Sequence, residues 1–131
     1  MSAGERAWLA AIPTFLEKVD KALGQPNLYV TPTKLREFGN VFRGCRRDLV
    51  RGLPSSRLRP VYAVVLKACG EYDKGAACFA VAVRTYASPA GSAGYRAFNR
   101  ALDCGFAASG KGGIPLGDAI NKGEEIRMAA N

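Results

Sequence analysis

The residues of this chain best suited to covalent chemistry are four cysteines, Cys45, Cys69, Cys78 and Cys104, spaced 24, 9 and 26 positions apart. There is no C-x-x-C and no paired spacing of a zinc ribbon, so neither a metal site nor a dithiol redox motif is read from them. Cys69 and Cys78 fall on one helical segment. At about 100° per residue they project from opposite sides of it, and their axial separation exceeds disulfide reach. An antiparallel hairpin turning near residues 54–59 brings Cys45 level with Cys69, and a second turning near Pro89 brings Cys78 level with Cys104. The expected bridges are Cys45–Cys69 and Cys78–Cys104, each closing a loop of about 25 residues and contributing on the order of 3 kcal/mol. The competing reading keeps four reduced thiols buried as small hydrophobes. Oxidised pairs imply an oxidising compartment.

The chain has no histidine. That removes Ser/His and Cys/His nucleophile pairs and every His-bearing metal site. Glu71, Asp73, Asp103 and Glu124 are spaced like exposed helix charges, and Glu71 is expected to pair with Lys67 or Lys74. Trp8, Tyr62, Tyr72 and Tyr95 read as core rather than as a ligand cage. Gly110-Lys111-Gly112-Gly113 lacks the order and the preceding strand of a phosphate loop, and with Ile114-Pro115 it reads as a flexible connector. No catalytic, cofactor-binding or metal-ligating set can be assembled, and the expectation is a protein that is not an enzyme and carries no cofactor.

Arginine is the other chemically informative residue. Between Lys34 and Arg59 eight basic residues face two acids, a net +6 of the chain's +8. On a helical wheel Arg36, Arg43, Arg47 and Arg51 fall within roughly 80° of one another, opposite the apolar positions of the same segment. The planar guanidinium fork suits phosphate, so these four are candidate contacts for an anionic surface or nucleic acid. The stripe carries no interleaved aromatics and no helix-turn-helix spacing, and an ordinary solvated face is the alternative.

The elements that must position these side chains are helices. Trp8, Leu9, Ile12, Phe15, Leu16, Val19 and Leu23 repeat at three and four, predicting a first helix over 5–23 that Pro13 kinks or splits and Gly24 and Pro26 end. Thr31-Pro32 starts a second over 32–51, with Leu35, Phe38, Phe42, Cys45 and Leu49 as its core stripe and Gly52-Leu53-Pro54-Ser55-Ser56 closing it. A long third over 60–86, roughly 40 Å, is apolar on two sides. One side carries Val65, Ala68, Tyr72, Phe79 and Tyr86; the other carries Tyr62, Leu66, Cys69, Ala76, Ala80 and Val83. It is the expected central element. Ser92 caps a fourth over 92–109, whose core stripe reads Tyr95, Phe98, Leu102 and Phe106 and whose small face reads Ala97, Ala101, Cys104 and Ala108. A short extra helix over 116–128 follows the glycine-rich break. The expectation is one all-α domain over 1–131, four-helix-bundle-like, with a long central third helix.

No apolar stretch reaches the roughly 20 residues of a membrane span. Met1 to Glu5 lack the basic and apolar regions of a secretory signal, which leaves a cytoplasmic protein or a mature exported domain. Ala68-Cys69-Gly70-Glu71-Tyr72, then Ala76-Ala77-Cys78-Phe79, with Cys45 and Cys104 flanking, give the span Leu35–Cys104 a pattern that resembles small exported or lipid-anchored helical-bundle proteins of high-GC bacteria. The resemblance implies a secreted or cell-surface module binding a protein or cell-envelope component, and it transfers no functional residue. The alternative is an intracellular nucleic-acid-binding protein using the arginine stripe.

Overall fold

The computed structural model describes residues 1–24, 30–52 and 55–130. It is all-α, with no strand among the described residues. The elements are α1 (Ala3–Leu23), α2 (Pro32–Leu49), a short 3-10 turn (Ser56–Leu58), α3 (Arg59–Thr85, 27 residues) and α4 (Ala93–Ala130, 38 residues). The helices pack in a ring, α1 on α2, α2 on α3, α3 on α4 and α4 on α1. Rings reach across its centre, Phe15 edge-on to Tyr72 at 5.1 Å and Trp8 tilted on Tyr62 at 6.1 Å.

Local chemistry sets the starts. The Ser2 hydroxyl accepts the Glu5 amide (3.1 Å) while the Ser2 amide donates to Glu5 Oε1 (2.9 Å), a capping box that satisfies two otherwise orphaned donors of α1. Thr31 accepts the Lys34 amide (3.2 Å) with Pro32 in the first turn of α2, and Ser92 accepts the Tyr95 amide (3.1 Å) at the start of α4. Gly24 closes α1 with its amide on the Asp20 carbonyl at 2.7 Å. Pro26, Leu53 and Pro54, expected to help end the first two helices, lie outside the described residues.

Pro13 neither splits α1 nor ends it: the helix is continuous from Ala3 to Leu23. Trp8 and Ile12 before the proline and Phe15 and Val19 after it are all buried in one core. That burial offsets the roughly 3 kcal/mol an interior proline costs a helix. Trp8 also donates Nε1–H to the Leu49 carbonyl (3.0 Å), giving a partner to one of the last carbonyls of α2.

Two further expectations about α4 are corrected. Helices over 92–109 and 116–128 with a glycine-rich connector are instead one helix, about 57 Å long at 1.5 Å per residue. Its core face is also the small one. Ala101, Gly105, Ala108, Gly112, Leu116, Ala119 and Gly123 are buried, whereas Phe98, Leu102 and Phe106 are half-buried and Tyr95 is 41% exposed. The reason is the size of what faces them. A Cβ built on Gly105 would lie under 3.0 Å from the Phe79 ring, and one on Gly112 under 3.0 Å from the Tyr72 ring. The glycines are seats for rings from α3. The rings they admit offset the roughly 1 kcal/mol that each glycine costs a helix.

On α3 the expected stripe Val65, Ala68, Tyr72 and Phe79 is buried, as are Cys69 and Ala76 from the second. Tyr86 and Leu66 are exposed, and Tyr62, Ala80 and Val83 are half-buried. Phe79 sits among the rings of Phe38 (5.4 Å), Phe42 (5.3 Å) and Phe106 (5.4 Å), the aromatic centre of the core.

The cysteines pair as hairpin register requires. Cys45–Cys69 joins α2 to α3 (Cα–Cα 5.3 Å) and Cys78–Cys104 joins α3 to α4 (Cα–Cα 5.9 Å). The long third helix is thus stapled on both sides. The first bridge is wholly buried; in the second, Cys78 is half-buried and Cys104 exposed. No described helix is long and apolar enough to cross a membrane.

Candidate functional site

The four arginines singled out on α2 are all exposed, but the structure does not hold them as one set. Arg36 and Arg43 flank a small groove between α2 and α3, about 180 Å³, whose floor is Gly39, Ala76, Ala80 and Val83. A Cβ at Gly39 would be in ordinary contact with the Arg43 guanidinium, 3.5 Å away, which places the guanidinium over this residue. Arg43 Nη2 donates to Asn40 Oδ1 (2.9 Å), a neutral partner, and neither Arg36 nor Arg43 forms an ion pair among the described residues.

Arg47 and Arg51 are engaged elsewhere. Arg47 leans on Asp48 (3.4 Å), which also takes Lys18 of α1 (3.1 Å), and Arg51 Nε donates to the Arg47 carbonyl (2.6 Å) just past the end of α2. Burial raises the Asp48 carboxyl, but the hydrogen bond and charge of Lys18 and those of Arg47 outweigh it and hold Asp48 below its ordinary value. Arg46, on the groove side, is tied across to Asp73 of α3. Arg36, Arg43 and Arg51 thus form no ion pair among the described residues. Of these, Arg36 and Arg43 flank the groove, whose floor of Gly39, Ala76, Ala80 and Val83 suits a hydrocarbon next to a charged group.

Glu71 pairs with Lys74 (3.5 Å), Asp73 with Arg46 and Glu124 with Arg127. Such exposed pairs contribute little, typically about 0–1 kcal/mol. Among the described residues no three candidate ligand side chains converge on a metal position.

Among the described residues one charged side chain is buried, Glu5. Glu5 accepts the Ser2 amide at Oε1 (2.9 Å). At Oε2 it accepts the Ser55 hydroxyl (2.7 Å) and pairs with Arg57 (3.2 Å), so the start of α1 is tied to the α2–α3 connection. The Ser2-x-x-Glu5 spacing is itself a capping-box signature and would have marked the residue. The Ser2 amide above all, with Ser55 and then Arg57, lowers its carboxyl from 4.5 to about 2 against the opposing effect of burial. A depressed carboxylate stabilises the fold fully above its unfolded value and loses that contribution as pH falls toward its folded value. The stability difference between the protein and Glu5→Gln, measured by denaturant unfolding against pH, is expected to be constant above pH 4.5 and to close between 4.5 and about 2. A gap independent of pH down to 2 would show that the Glu5 charge does not stabilise the fold.

Fold and site together define a class: an all-α, bundle-like module held by two inter-helix disulfides, with a basic edge on its second helix. No protein family, curated protein or solved structure matches the chain.

Proposed function

We propose that this protein is a non-enzymatic binding module of an oxidising, extracytoplasmic compartment, and that the Arg36–Arg43 edge of α2 engages an anionic component of the cell envelope. The observation that carries the reading is the combination of two disulfides with two guanidiniums that form no ion pair among the described residues and flank a groove with an apolar floor. Disulfides persist where thiols are not kept reduced. The net charge of +8 attracts anionic surfaces, and the groove adds a place for hydrocarbon beneath the headgroup charge. The resemblance of Leu35–Cys104 to exported helical proteins supports the same compartment.

Co-sedimentation with phosphatidylglycerol vesicles, against phosphatidylcholine controls, tests this. Each basic side chain near an anionic surface contributes about 1 kcal/mol, so Arg36→Gln/Arg43→Gln is expected to weaken binding about thirtyfold. Lys122→Gln on α4 removes a charge away from the groove and is expected to change binding far less. Indifference of both variants would remove the site. Tight, salt-sensitive binding to duplex DNA without vesicle binding would move the arginine edge to nucleic acid.

A further inference from the structure

A second and larger recess lies between the last turns of α1 and residues 109–113 of α4, about 500 Å³, with Tyr72 of α3 at its base. Its walls are apolar where Leu16, Val19 and Leu23 contribute, and its polar groups are Asp20, Ser109 and Tyr72. Its volume is that of small-molecule sites, and its lining is mixed, apolar side chains beside a few polar atoms.

The Tyr72 hydroxyl is the informative atom. The residue is completely buried, and the hydroxyl is the buried side-chain polar atom without a hydrogen-bond partner among the described residues. Buried polar groups are nearly always satisfied, so such an exception asks for an explanation. The ring cannot swing to find a partner. It is packed against Phe15 (5.1 Å) and Phe42 (5.0 Å) and seated on Gly112. Gly113 of the recess lies beside the hydroxyl: a Cβ there would stand 3.6 Å from the phenol oxygen and 4.0 Å from Leu16, in ordinary contact with both. Burial first, and then the Asp20 charge, push the phenol up to about 12, so it keeps its proton at neutral pH and offers lone pairs alongside one donor.

The other polar groups are acceptors. Asp20 makes no ion pair among the described residues, and the Ser109 hydroxyl spends its proton on the Phe106 carbonyl (2.8 Å), leaving its lone pairs. A carboxylate and two hydroxyl oxygens next to hydrocarbon match a group with several N–H donors and a positive charge. From this geometry we infer that the recess binds a small protonated amine with an apolar body, its ammonium between Asp20, Ser109 and Tyr72 and its hydrocarbon against Leu16, Val19 and Leu23. The site is separate from the arginine edge and of opposite charge, so the two readings stand or fall independently.

The test is calorimetric titration of the oxidised full chain with tryptamine, with tryptophol as its neutral counterpart and indole-3-acetate as its anionic one. Tryptamine is expected to bind at least about tenfold tighter than either, an increment within the range of one charge-assisted hydrogen bond. Asp20→Asn, an exposed substitution that keeps shape, is expected to reduce tryptamine to the level of tryptophol. Tyr72→Phe is expected to weaken the amine severalfold, and Gly113→Leu to abolish binding of all three. Equal binding of the three probes, binding of none, or amine binding untouched by both Asp20→Asn and Tyr72→Phe would overturn the assignment.

Discussion

Mild reduction of the folded protein is expected to open Cys78–Cys104 first and to leave Cys45–Cys69 intact until the bundle itself unfolds. Thiol–disulfide exchange needs a thiolate to reach a sulfur. Cys45 and Cys69 have no exposed surface, whereas Cys104 is exposed and its bridge lines a shallow surface groove with Val81, Ala97 and Arg100. The bridges close loops of similar length, with separations of 24 and 26, so each contributes on the order of 3 kcal/mol by loop closure and accessibility decides the order. Cys45→Ala/Cys69→Ala is expected to cost about 3 kcal/mol or more, because it also empties core volume; Cys78→Ala/Cys104→Ala is expected to cost about 3 kcal/mol without that addition. Time-resolved alkylation with peptide mapping reads the order, and denaturant unfolding reads the costs. Simultaneous loss of both bridges would mean that global opening precedes reduction.

The glycines of α4 are expected to divide sharply on substitution by alanine. By helix propensity alone every Gly→Ala change in a helix interior gains about 1 kcal/mol. Gly110 meets nothing within 4 Å of its Cβ position, so Gly110→Ala is expected to realise that gain. Gly105 and Gly112 are buried under the Phe79 and Tyr72 rings, which neighbouring rings hold in place, so a methyl there must displace them. Overpacking of this kind costs typically about 1–3 kcal/mol, and the two seats lie two helical turns apart, so the double variant is expected to lose about 2–6 kcal/mol. Thermal and denaturant unfolding of the three variants checks it. Stabilisation by Gly112→Ala would show that the Tyr72 ring yields without cost.

The same seats explain where a reading by pattern succeeds and where it stops. Helix class, the starts at Thr31-Pro32 and Ser92, and the core stripe of α2 are local properties, written in caps and in spacings of three and four. The cysteine pairing also follows from local geometry, because two sequential hairpins place Cys45 beside Cys69 and Cys78 beside Cys104 without reference to anything else in the chain. The Arg36 to Arg51 stripe could be seen as exposed, since opposite a core stripe lies solvent.

Three features needed the tertiary structure. The segment Gly110–Pro115 looks like a break because glycine and proline disfavour helix in isolation; it stays helical because Tyr72 of α3 occupies the space that a side chain at Gly112 would fill. Which face of α4 turns inward depends on the size of its partner, so the aromatic face that periodicity selects ends half-exposed and the small face is buried. The setting of the basic face depends in part on other helices, Lys18 of α1 joining Arg47 on Asp48 and Asp73 of α3 taking Arg46, which a wheel of α2 alone does not contain. Local spacing by itself determined the all-α class, the helix starts at Thr31-Pro32 and Ser92, and which cysteines fall level with one another. Complementarity of volume and charge between helices, a pairwise property of residues far apart in the chain, decided the core face of α4, the groove beside Arg36 and Arg43, and the buried hydroxyl at the base of the larger recess.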